Sequence, residues 1–157
     1  MPNNMSSNTF DKSLPVAIGS DHAGYEYKEQ IKKELLAAGW QVVDKGTHST
    51  DSTDYPDYAH PVAVMVEGGE AAAGILVCGS GNGVCMTANK HQGIRAALCW
   101  NEELASLARQ HNNANVICLP SRFIPLELAE KMAILFLNTE FEGGRHGKRV
   151  DKITTSC

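Results

Sequence analysis

No stretch of the 157 residues supplies the roughly 20 consecutive apolar residues that a membrane-spanning helix needs. The opening, MPNNMSSNTFDKS, is polar and lacks the charged-then-apolar order of a signal peptide, so a cytoplasmic protein with no membrane partner is expected. Cysteines are few and scattered: Cys78, Cys85, Cys99, Cys118 and Cys157 are odd in number and contain no C-x-x-C pair, which suits neither a disulfide framework nor structural zinc. Each is read as an ordinary thiol, inert or catalytic. A basic surplus is missing as well. The formal charge of -4 and the pI near 5.8 argue against a nucleic-acid partner, although residues 145–149 are locally basic. No histidine shows metal-ligand spacing with carboxylates, so neither metal nor cofactor is expected.

What is present describes one globular domain: an apolar fraction of 43% in a chain long enough to build a core. Residues 1–14 carry no periodic pattern and read as a flexible N-terminal extension, with a single domain over 15–157. Short apolar runs recur at Val16–Ile18, Val42–Val43, Ile75–Cys78, Ile94–Cys99 and Val116–Leu119. They are unalternated and rich in β-branched residues, as strands buried on both faces are. Helical stripes lie between them. Tyr27, Ile31, Leu35 and Ala38 form one, stopped by Gly39. Ala59, Val62, Ala63 and Val66 form a second, with Pro61 tolerable only near its first turn. A third is capped by Asn101 and places Leu104, Leu107, Ala108 and His111 on one face. A fourth starts at Pro125 and runs through Leu126, Ala129, Met132, Ala133 and Phe136. The alternation predicts an α/β fold: a three-layer, doubly wound, Rossmann-like sandwich with a parallel sheet of about five strands.

In such sheets ligands bind beyond the carboxyl ends of the strands. Two loops at those ends are rich in small residues, Gly19–Gly24 after the first strand and Cys78–Gly83 after the third. Successive N–H groups in a loop of this kind can cradle an anion, although glycines there can equally serve tight turns alone. The dinucleotide fingerprint fails because its third glycine falls on Val84, and no loop ends in the Gly-Lys-Ser/Thr of a P-loop. A nucleophile elbow around Ser80 would need glycine at Cys78, and a cysteine phosphatase would need arginine at Val84. What remains is a thiol, Cys78, at a strand end before a glycine-rich turn into a helix, a setting that favours thiolate and makes it a base or nucleophile. Cys85, Cys99 and Cys118 read as small core hydrophobes.

His22 stands beside Asp21 in the first of these loops, whereas His48, His60 and His91 have no such context. His111, on a predicted helix face, suits a core or helix-terminal role as well as a catalytic one. Arg145 and Arg149 are four apart, so a helix there would put both guanidinium groups on one face, able to grip a phosphate or simply to be solvated.

Taken in order, the motifs Gly19-Ser20-Asp21-His22-Ala23-Gly24, Thr53-Asp54-Tyr55-Pro56, Cys78-Gly79-Ser80-Gly81-Asn82-Gly83, Asn89-Lys90, Gly93-Ile94-Arg95-Ala96, Arg109-Gln110-His111-Asn112 and Glu142-Gly143-Gly144-Arg145-His146 with Arg149 span Pro15 to about Ile153. Together they resemble the type B ribose-5-phosphate isomerase family, which includes galactose- and allose-6-phosphate isomerases. The resemblance implies an aldose-ketose isomerase acting through an enediolate on a small sugar phosphate, as a homodimer or dimer of dimers with shared sites. It assigns proton transfer between carbons to Cys78, since the family's other branch carries glutamate where Val84 stands. It assigns the anion hole to the amides of Gly79, Ser80, Gly81, Asn82 and Gly83, proton movement between oxygens to Ser80, and ring opening to Asp21 and His111. Tyr55 and Asn112 line the pocket in this scheme, and His22, Arg122, Arg145 and Arg149 form the polar and phosphate-binding set. Three alternatives stay open: a 6-phosphohexose as substrate, a non-catalytic phosphosugar-binding module, and a thiol enzyme with a covalent intermediate.

Overall fold

The computed structural model describes residues 8–154, so Cys157 and residues 1–7 of the expected extension lie outside it. The elements follow the order β1 (Val16–Ser20), α1 (Tyr25–Ala37), β2 (Val42–Asp44), α2 (Pro56–Glu67), β3 (Ala73–Cys78), α3 (Asn82–Ala88), β4 (Ala96–Leu98), α4 (Glu102–Gln110), β5 (Val116–Pro120), α5 (Leu126–Asn138) and α6 (Arg145–Asp151). The strands form one sheet in the order β2-β1-β3-β5-β4, and every pairing is parallel. Because β1, β3 and β5 are buried on both faces, they read in sequence as unbroken apolar runs. Alternate residues feed two cores. Ile18, Ile75, Val77, Ile117 and Leu119 face a layer built from α1, α4 and α5, while Ala17, Leu76, Val116 and Cys118 face α2 and α3. This is the three-layer α/β sandwich that the alternation of patterns predicted.

Two helices differ from their expected form. Pro61 lies inside α2, because the helix begins at Pro56, one turn earlier than its apolar stripe suggests. In α4 the buried face is Ala105, Ala108 and Arg109, with Leu104 exposed. His111 is the C-cap of that helix and its side chain is 42% exposed, so it is not a core histidine. The cap at the other end is as expected, with Asn101 Oδ1 accepting from the Leu104 N–H at 2.9 Å.

Arg109 explains why the chain before Pro15 is held. Its fully buried guanidinium donates to the carbonyls of Ala114, Thr139 and Asn8 and to Asn113 Oδ1. Phe10 covers it, with its ring 4.1 Å from the guanidinium carbon and 5.6 Å from the ring of Phe136. Burial lowers the Arg109 pKa to about 10, which still leaves it charged at neutral pH. Residues 8–10 therefore complete the shell of a buried cation, a contact that no periodic pattern announces.

On the opposite edge Lys28 is fully buried in α1, and its Nζ lies 2.6 Å from Asp44 Oδ2 at the end of β2 and 2.7 Å from Glu29. Burial alone would raise the Asp44 pKa. Hydrogen bonds from Lys28, the Gly46 N–H and Lys32 outweigh that, and the net shift is downward. Asp44→Asn is expected to cost about 3 kcal/mol in denaturant unfolding, the lower end for a broken buried pair, because Glu29 still compensates Lys28. A carboxylate whose pKa falls on folding stabilises the fold above its unfolded value near 3.9, and that contribution is lost as pH drops through the folded value. Asp44→Asn should therefore flatten the acid limb of the stability profile, and an unchanged limb would contradict the assignment.

Candidate active site

The strand order reverses between β1 and β3, since β1 runs on to β2 on one side and β3 lies on the other. The carboxyl ends of these two strands diverge at this switch point and leave a crevice. It is floored by the two small-residue loops. Asp21 donates its N–H to the carbonyl of Val77 at 3.3 Å, and Gly24 packs so closely on β3 that a Cβ would stand 2.4 Å from the Val77 oxygen. Asp21 Oδ1 accepts from the Gly24 N–H at 3.0 Å, which closes the turn into α1 and fixes the carboxylate.

The second loop begins at Cys78, a residue 5% exposed at the end of β3. Gly81 takes φ +77°, a left-handed conformation that lets the chain turn from β3 into α3 within three residues. Tyr55, at the N-cap of α2, lays its ring across Gly83, where a Cβ would be 2.6 Å from the ring. Arg122 crosses Gly79 in the same manner, and its N–H donates to the Gly79 carbonyl at 3.0 Å. The glycines are thus needed for close approach of side chains from neighbouring loops.

Asp21, His22, Ala23, Tyr55, Cys78, Gly79, Ser80, Gly83, Arg122 and Phe123 line one open cleft of about 430 Å³. Larger hollows of about 530 and 550 Å³ lie against α2 and between α1 and α5, but neither contains a thiol. Chemistry rather than volume singles out the crevice. His22 Nδ1 accepts from the Thr53 N–H at 3.2 Å, which leaves Nε2 as the protonated nitrogen of the neutral ring. Ser80 Oγ accepts from the Asn82 N–H at 3.2 Å and so braces the turn. Burial pushes the Cys99 thiol up to about 12 and drives Cys118 up as well, so both stay protonated core residues.

The other expected site residues are elsewhere in the chain. Asn112 lines a separate hollow of about 310 Å³ with Asn89, Arg95 and Ile153. His111 stacks on His146 with ring centroids 4.3 Å apart, beside Glu142. Arg145 and Arg149 are exposed on α6. Among the described residues, the expected set therefore divides into a cleft group and a second group at the turn that follows α4 and on α6.

Four residues to which the sequence assigned no role organise these groups. Ser121 is 8% exposed and donates Oγ–H to the carbonyls of Ala23 and Cys78, tying the two loops together. Thr53 sets the His22 tautomer through its main chain, which no side-chain pattern reveals. Glu142 and His146 are four apart, but their pairing with His111 shows only once the chain is folded.

The model of the ribose/galactose isomerase family matches residues 16–153, and with them every element described above. The chain belongs to this family. Within it, the chain is similar to ribose-5-phosphate isomerase B of Escherichia coli, 48% identical over 88% of this chain and 93% of the relative. Among solved structures, ribose-5-phosphate isomerase B of Mycoplasma genitalium with bound ribulose-5-phosphate superposes with a TM-score of 0.88 at 46% identity, covering 92% of this chain and 96% of that one. The Thermotoga maritima enzyme gives 0.87 at 50% identity, covering 90% and 97%.

Proposed function

We propose that the protein interconverts ribose 5-phosphate and ribulose 5-phosphate through an enediolate, with Cys78 as the base. The observation that carries this reading is the meeting of Cys78, Asp21, His22, Tyr55 and Arg122 in one cleft at the switch point of a family fold. Asp21 and His111 open the furanose ring. The Cys78 thiolate removes the proton from C2 of the open aldose, and the electron pair moves to form the enediolate. The N–H groups of Gly79 to Gly83 face the charge that develops on oxygen, where loss of one donor typically costs about 2.7 to 4 kcal/mol. Ser80 moves a proton between the two oxygens, and Cys78 returns its proton to C1. Arg122, Arg145 and Arg149 hold the phosphate away from the reacting carbons, so that binding energy there orients the chain.

The division of the expected residues supports an assembly as well as a reaction. A homodimer in which His111, Asn112, Arg145 and Arg149 of one subunit complete the cleft of the other would unite both groups around one sugar phosphate. The enzyme then works as a cytoplasmic dimer, or a dimer of dimers, in pentose phosphate metabolism, with residues 15–157 as its single domain.

The direct test is a coupled assay of the purified protein on ribose 5-phosphate, ribulose 5-phosphate and allose 6-phosphate, with and without a chelator. Turnover of the pentose phosphates is expected, unaffected by chelation. Absence of turnover on every sugar phosphate would overturn the reading, and preference for allose 6-phosphate would move the substrate to hexoses. Arg149→Ala should raise KM for ribose 5-phosphate roughly ten- to hundred-fold, with a smaller change in kcat, because the charged clamp acts in ground and transition states alike. An unchanged KM would remove Arg149 from the phosphate site.

A further inference from the structure

Beside the second group stand two side chains, Glu142 and His146, to which the proposed isomerisation gives no part. Glu142 and His146 flank a turn in which Gly143 and Gly144 have φ of +71° and +56°, and α6 starts at Arg145. The Glu142 N–H donates to the Gln110 carbonyl at 3.0 Å, which anchors this turn to the end of α4, one residue before His111. As a result, Glu142 Oε1 lies 3.4 Å from His146 Nε2 and 3.8 Å from His111 Nε2. The two imidazole rings are nearly parallel, 14° apart, with these nitrogens turned toward the same carboxylate oxygen.

We propose that His111, Glu142 and His146 form an inhibitory binding site for a divalent transition-metal ion of borderline softness, with zinc as the best fit. All three donor atoms lie within 4.8 Å of one another. Zinc bonds to imidazole and carboxylate measure about 2.0 to 2.2 Å, and the edges of a tetrahedron of that size are about 3.3 to 3.6 Å, close to the 3.4 and 3.8 Å between Glu142 Oε1 and the two ring nitrogens. His146, 9% exposed in its side chain, is the fixed ligand. His111, 42% exposed at a helix end, is the one free to splay out of the stack and aim its lone pair at the ion. Two histidines and one glutamate leave a fourth position open.

The surroundings select the kind of ion. Arg145, Lys148 and Arg149 stand on the same helix, so the local charge opposes any cation held by electrostatics alone. Magnesium and calcium require several oxygen ligands and find one carboxylate here, whereas imidazole donors suit zinc, copper and nickel. Capture of the His111 lone pair blocks its use on the sugar. That inhibitory consequence rests on the proposed role of His111, while the binding does not.

Cobalt(II) titrated into the full-length protein tests the site by absorption spectroscopy, without reference to turnover. One equivalent per chain is expected to develop visible bands of low-coordinate cobalt, displaced by zinc and not by magnesium. The bands should persist in Cys78→Ala. Their apparent affinity should weaken by about tenfold or more in His146→Gln and in the exposed-site variant Glu142→Gln. Zinc should suppress isomerase turnover over the same concentration range, and chelator should restore it. No saturable spectrum, an unchanged spectrum in both variants, or a thiolate-to-cobalt band lost in Cys78→Ala would each overturn the site. Normal binding with undiminished turnover would overturn the inhibition, and with it the role of His111, while leaving the metal site standing.

Discussion

Cys78→Ala is expected to lower kcat on ribose 5-phosphate by about 10²- to 10⁴-fold, the range that a positioned acid-base group supplies. The affinity for ribose 5-phosphate, measured by calorimetry, should change little. The thiol ends β3 at 5% exposure, at the floor of the cleft, whereas the arginines assigned to the phosphate stand on other elements. Removing one sulfur opens a small space in a shell otherwise closed by the Ser121 bonds to the Cys78 and Ala23 carbonyls, so the loops should keep their places. Loss of binding together with turnover would instead make Cys78 a structural residue. A trapped adduct on Cys78 in the wild-type enzyme would make it a nucleophile, which is the covalent reading of the same thiol.

The sheet was legible because β1, β3 and β5 are buried on both sides and so appear as uninterrupted apolar runs between helical stripes. The cleft was legible for a related reason: parallel topology sends ligands to strand ends, and the ends of β1 and β3 carry the two glycine-rich loops. Local periodicity failed where the deciding contact was remote in sequence. Arg109 belongs to none of the apolar stripes, yet it is buried beneath Phe10, about a hundred residues away along the chain. His111 fell on the face of a helical stripe with Leu104, Leu107 and Ala108, but α4 ends one residue before it and frees it to meet Glu142 and His146. Thr53 acts through its main-chain N–H, for which side-chain identity gives no signal.

A mixture of Cys78→Ala and His111→Ala chains, each inactive alone, is expected to regain activity once subunits exchange. In a mixed dimer with shared sites, one site collects both substitutions and the other collects neither. With equal amounts of the two chains, half of the dimers are mixed and half of their sites are intact, so activity should return to about one quarter of the wild-type value. If Cys78 and His111 served the same site from the same chain, every site would carry one lesion. Activity that stays at background after exchange has been verified would therefore refute sharing, even for a protein that is a dimer. The geometry motivates the experiment: Cys78 lines the cleft of one chain, whereas that chain's His111 and Asn112 do not.

In the proposed reaction a thiol carries a proton between adjacent carbons of a sugar phosphate. Running the wild-type reaction from ribose 5-phosphate in heavy water, and reading deuterium at C1 of ribulose 5-phosphate by NMR, addresses it most directly. A proton held on Cys78 exchanges with solvent in competition with its return, so partial deuterium at C1 is predicted. Product formed at full rate with no deuterium at C1, its hydrogen having moved intact from C2, would indicate a hydride shift and contradict a base at Cys78.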